Sequence, residues 1–143
     1  MNRVRSITRK TGPRRARAAA VVEFAIVCPI LLTILFGIIE YGHLFMVRQT
    51  LTNAAREGCR IAFLQSTEEP YSEVTARVDE VMTAAGLTGY STDMTHAGSA
   101  NGWVETIAVS IPRSQVSLLA DFFGSPDGML SGTCSMRKAG VGL

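Results

Sequence analysis

Few residues in this chain are equipped for chemistry. His43 and His96 stand far apart, and neither belongs to an HExxH segment or to the Cys/His spacing of a zinc site. There is no phosphate-cradling glycine loop and no GxSxG elbow. Catalysis needs several groups that converge, and no such set is visible. The sequence therefore predicts no enzyme, no metal and no cofactor. Two features stand out. Cys28, Cys59 and Cys134 could do thiol chemistry, and Glu23 is an acid inside an otherwise apolar run from Ala18 to Ile39. A carboxylate at a membrane centre costs about 3 kcal/mol, and less near an interface, so Glu23 invites a reason. One reason is positional: six residues after Arg17, it could reach headgroup level.

One long element positions these groups. As a helix, the run from Ala18 to Ile39 spans roughly 33 Å, about the thickness of the hydrocarbon layer. Seven basic residues (Arg3, Arg5, Arg9, Lys10, Arg14, Arg15 and Arg17) precede it with no acid among them. The other seven basic residues face all twelve acids, so the net +2 divides into +7 before the run and −5 after it. This bias places the N-terminus in the cytoplasm and the rest across the membrane. The tail lacks the interleaved aromatics of a nucleic-acid site. The run is longer than the apolar core of a secretory signal, and no small-x-small cleavage site closes it. Tyr41 and Phe45, just beyond it, suit a membrane interface. The sequence thus predicts a retained single span.

Past the interface, Leu44, Val47, Leu51, Ala54, Gly58 and Ile61 recur at three- and four-residue steps, with Arg48, Gln49, Asn53, Arg56, Glu57 and Arg60 between them. This is an amphipathic helix continuing the span to about residue 64. Ala54, Ala55 and Gly58 make its stripe small enough for close helix packing, against the chain's own domain or another helix. Pro29, inside the span, reads as a kink that membrane helices tolerate.

A linker with Pro70 leads to a second helix marked by Val74, Val78, Val81, Met82 and Ala85 and stopped at Gly86. Tyr90–His96 reads as a weak strand, Ala97–Gly102 as a turn, and Trp103–Ile111 as an alternating strand with Trp103, Glu105, Ile107, Val109 and Ile111 toward the core. Pro112 ends it. Ser114–Phe123 reads as a short helix or compact loop, and Met129–Lys138 as a last strand with Leu130, Gly132, Cys134 and Met136 on one face. The predicted fold is α+β: a long N-terminal transmembrane helix continuing into a small domain with a second helix and about three antiparallel strands. The expected divisions are a basic tail (1–17), a transmembrane helix (18–42), a helical extension (43–65) and an extracytoplasmic domain (66–143).

Cys28 falls within the span, which leaves Cys59 and Cys134 as a candidate disulfide in an oxidising compartment. Free buried thiols are the alternative.

The stretch Val21–Arg60 resembles the TadE-like family of tight-adherence pilus assembly proteins. The resemblance rests on VEFA at Val22–Ala25, Pro29 before an aliphatic run, FGIIEYG at Phe36–Gly42 and AAREGCR at Ala54–Arg60. It implies a non-catalytic minor pilin or pseudopilin of the bacterial inner membrane. Its implied partners are other pilin-like subunits, tight-adherence assembly proteins and a prepilin peptidase. The implied cut falls between Ala18 and Ala19, with Glu23 fifth and Phe24 sixth in the mature chain. The family's usual residue before the cut is glycine, where this chain has Ala18. A pseudopilin of a related secretion system, and a membrane-anchored or secreted ligand-binding domain, are the alternatives.

Overall fold

The computed structural model describes residues 13–64, 71–99, 102–119 and 127–138. The expected linker, with Pro70, and most of the basic tail lie outside them. The fold is α+β, as predicted. Helix α1 spans Pro13–Leu64, α2 Ser72–Ala84 and α3 Arg113–Val116; the strands are β1 Ser91–Ser99, β2 Gly102–Pro112 and β3 Met129–Lys138. The chain divides into two units, one ending at Ile38 and the other beginning at Ile39.

Pro13 suits the first helical position, where a missing N–H costs nothing. Within the first unit the helix continues past Pro29, and the Thr33 hydroxyl donates to the Pro29 carbonyl at 2.8 Å. Such back-bonding and the lost proline donor both favour a local bend.

The second unit is a helical layer on a three-stranded antiparallel sheet of order β1-β2-β3. The buried side chains of α1 are Leu44, Val47, Leu51, Ala54, Ala55, Cys59 and Ala62. They share one cluster with Val74, Val78 and Met82 of α2, with Ile107, Val109 and Ile111 of β2, and with Val116 of α3. Alternation along β2 delivers every second residue to this core. Ser110 is also buried, and its hydroxyl bonds that of Ser91 across the strand pair at 2.9 Å.

Helix α2 ends in a Schellman turn. Gly86 takes φ +69°, its N–H donates to the Thr83 carbonyl at 2.9 Å, and the Leu87 N–H donates to Met82 at 3.0 Å. Ala85, expected on the apolar face, is the exposed C-cap residue.

The turn expected at Ala97–Gly102 is narrower. Pairing runs out to Ser99↔Gly102, so Ala97 and Gly98 belong to β1; the ladder to β2 overrides their turn propensity. On β3, Met136 is 37% exposed, near the end of the sheet away from the Ile111↔Leu130 pair. The short helix or compact loop expected over Ser114–Phe123 has its helix, among the described residues, at Arg113–Val116, and residues 120–126 lie outside them.

Candidate functional site

The helix of the first unit carries Ala18, Ala19, Glu23 and Phe24, all exposed. Every large apolar side chain from Val21 to Ile39 is exposed, Phe36 least at 39%. Nothing in the described chain covers this helix, which is long and apolar enough to cross a membrane. Such a surface is stable only against lipid or another subunit.

In the second unit, the small stripe of α1 is filled by the chain itself. Ala54 and Ala55 are fully buried, and Gly58 faces α2 and β2. A side chain there would meet Val78 at 3.1 Å, Ile107 at 3.3 Å and Val74 at 3.4 Å. The close approach allowed by this stripe is thus used within one domain.

Cys59, 1% exposed on α1, lies against β3, where its side chain hydrogen-bonds Cys134; both thiols are free in this structure. The Cys134 position follows from strand register, since it pairs with Ile107, a core residue of β2. Burial first, then the hydrogen bond and charge of Cys134, push the Cys59 thiol up to about 12. Cys28 belongs to the first unit.

Sequence reasoning placed the two histidines in unrelated settings and gave His96 no partner. The fold supplies two. His96 on β1 pairs in register with Glu105 on β2, its Nδ1 lying 4.0 Å from a carboxylate that is buried, the residue being 6% exposed. Its Nε2 shares a hydrogen bond with the Tyr71 hydroxyl, and the two rings stack with centroids 5.0 Å apart. The arrangement ties the start of α2 to two strands and gives a buried carboxylate a charge partner when the imidazole is protonated. The only sequence signal for it was Glu105 on the core face of an alternating strand. Among the described residues no group of His, Cys, Asp or Glu could hold a metal.

Glu40 is the second residue that the sequence did not mark. It closes the apolar run, and its Oε2 accepts from the backbone N–H groups of Leu118 at 3.0 Å and Leu119 at 3.2 Å. A carboxylate on two backbone donors is a charge-assisted cap. The signal available was an acid inside FGIIEYG with no Lys or Arg on its helical turn. Replacing Glu40 by alanine should cost about 2 kcal/mol, because two N–H groups lose their acceptor. Hydrogen exchange should report faster exchange at Leu118 and Leu119, while the amides of β2 change only by the global loss.

Tyr90 donates to Asp79 on α2, and burial together with this bond pushes its hydroxyl up to about 12. Tyr90 and reduced Cys59 both hold their protons more tightly when folded than at the ordinary values of 10.0 and 9.0. Their contribution to stability is therefore complete below pH 9 and is lost as pH rises toward 12, since the unfolded chain ionises first. In reductant, thermal unfolding should fall across that interval. Cys59→Ala should abolish the part beginning near 9 and leave the part beginning near 10.

The exposed apolar helix and the small α+β unit define the class: a chain with, among the described residues, one helix long and apolar enough to cross a membrane, and a domain of two layers. Residues 18–60 match the family model described as TadE-like protein, which bears out the resemblance over that segment. The match supports a component associated with tight-adherence pili, and TadE-like pilus proteins are structural rather than enzymatic. Together with the apolar helix it suggests a membrane-anchored chain associated with pilus components. No curated protein and no solved structure matches the chain.

Proposed function

We propose that this chain is a non-catalytic minor pilin or pseudopilin of a tight-adherence pilus or secretion system, acting by subunit assembly through its N-terminal helix. The observation that carries the reading is an apolar helix left bare by its own chain, with one acid, Glu23, near its basic end. The family match over residues 18–60 supports it. The basic tail (1–17) lies in the cytoplasm, residues 18–42 cross the inner membrane, the extension (43–65) carries the helix onward, and residues 66–143 complete the extracytoplasmic domain.

A prepilin peptidase cuts between Ala18 and Ala19. Removal of seven positive charges lets the apolar helix leave the bilayer for a helical core shared with other pilin-like subunits. There the Glu23 carboxylate pairs with the Ala19 amine of a neighbour, both groups being desolvated and hydrogen-bonded.

N-terminal mass spectrometry of membranes from cells with and without the peptidase tests this. A start at Ala19 only when the peptidase is present is expected; a start beyond residue 40 overturns the reading in favour of a secreted domain. Glu23→Gln should leave the protein in the membrane but reduce crosslinking between subunits about a hundredfold, since breaking a buried charge pair costs about 3 kcal/mol.

A further inference from the structure

A groove of about 360 Å³ opens in the second unit between α1 and the start of β3, lined by Tyr41, Phe45, Arg48, Arg113, Met129 and Ser131 among others. Its composition is unusual for a surface exposed only to water. Three large side chains with apolar bodies, Tyr41, Phe45 and Met129, are 73%, 54% and 59% exposed. Beside them stand two arginines of like charge. Neither Arg48 nor Arg113 forms an ion pair among the described residues, whereas Arg60 and Arg77 do. Arg113 is anchored by its backbone, its N–H donating to the Gly128 carbonyl at 3.0 Å, so its side chain starts from a fixed point beside the groove.

The groove also has a defined place along the chain. Tyr41 follows Ile39, the last residue of the apolar run, by two positions on one continuous helix. At 1.5 Å per residue, a bilayer that holds the run puts Tyr41 and Phe45 within about 9 Å of its hydrocarbon edge, at headgroup depth. Two unpaired guanidinium groups and a hydroxyl at that depth match the chemistry of a phosphodiester, because guanidinium forks bind phosphate oxygens with paired, charge-assisted bonds. The neighbouring aromatic and thioether surfaces match the glycerol and upper acyl region.

We propose that this groove binds the headgroup of an anionic phospholipid in the leaflet where the apolar helix emerges, with Arg48 and Arg113 on the phosphate and Tyr41, Phe45 and Met129 against the lipid body. The inference rests on the membrane placement of the helix and is independent of cleavage or of assembly into a filament. It explains why exposed apolar side chains and unpaired arginines share one surface of a water-exposed domain.

The test uses the full chain purified in detergent, delipidated, and titrated with phosphatidylglycerol or with phosphatidylcholine under native mass spectrometry. Phosphatidylglycerol should bind at one site and phosphatidylcholine should not. R48Q/R113Q should weaken retention of phosphatidylglycerol about tenfold or more, as the loss of charge-assisted bonds predicts. R60Q, on the same helix but outside the groove, should bind as the parent does. A second measurement needs no variant: phosphatidylglycerol should protect Arg48 and Arg113 of the unaltered protein from phenylglyoxal, and phosphatidylcholine should not. Equal binding of the two lipids, absence of protection, or displacement by millimolar inorganic phosphate would each overturn the proposal; the last would mark a site for free phosphate. Protection by an acidic peptide but not by the lipid would also overturn it, in favour of a protein partner.

Discussion

Gly132→Ala should destabilise the second unit by about 3 kcal/mol or more, and Gly132→Leu should prevent it from folding. Gly132 is buried on β3 where α1 crosses the sheet. A Cβ atom there would collide with the backbone of Leu51 and Thr52, standing only 2.6 Å from the Cα of Thr52. The clash is with helix backbone, so no rotamer change relieves it. The helix must lift from the sheet along its length, opening space around Leu51, Val47 and Ile107, all at most 1% exposed. A stability of 5–15 kcal/mol is typical for a domain, so about 3 kcal/mol is a large fraction of the whole. Near-UV circular dichroism of the full chain in detergent, followed through thermal unfolding, reads the effect. Gly42→Ala is the control: nothing lies within 4 Å of a Cβ there, and alanine suits a helix better than glycine. Equal unfolding temperatures for the Gly132→Ala protein and its parent would mean that the helix does not rest on Gly132.

Oxidation of Cys59 and Cys134 should raise the stability of the same unit by about 4 kcal/mol, the chain-entropy value for a closed loop of about 75 residues. Cys134 is near enough to Cys59 to perturb its thiol, so one S–S bond can form as both S–H bonds break, two electrons passing to an added oxidant such as diamide. Uncatalysed formation should be slow at neutral pH, because the thiolate is the attacking species and burial pushes Cys59 up to about 12. After oxidation, iodoacetamide should label neither cysteine until reductant is added, and reductant should lower the unfolding temperature. Cys59→Ala/Cys134→Ala should unfold at one temperature with or without oxidant. Labelling of both cysteines in unreduced protein isolated from the envelope would show that the clasp is not used there.

The candidate site was legible in the sequence to the extent that it is one-dimensional. Ala18, Ala19, Glu23 and Phe24 are singled out by their order along a helix, and the surrounding apolar run needs no tertiary partner to be recognised. The same holds for the stripe from Leu44 to Ile61 and for the alternation of β2, because periods of 3.6 and 2 are local properties. Hidden from the sequence were the contacts that depend on register and on which elements stack. His96 meets Glu105 only because β1 and β2 pair with that offset, and it meets Tyr71 only because α2 starts beside the sheet. Glu40 was unmarked in the sequence, because only the fold brings Leu118 and Leu119, distant along the chain, to its carboxylate.

The glycines make the same division. Gly86 was legible as a helix stop because a left-handed C-cap is a local demand on the backbone. Gly132 read only as one residue on a shared face of a strand; its need to be glycine arises from a helix backbone whose place no nearby residue encodes. By itself, then, the sequence determined the long apolar helix, the charge bias that flanks it, the position of Glu23 in the apolar run and the order of the elements, all of which follow from charge, hydropathy and local periodicity. The tertiary structure alone decided that the small stripe is filled from within the domain, that Cys59 faces Cys134, and that Arg48 and Arg113 share a groove, because each juxtaposes residues that only packing can bring together.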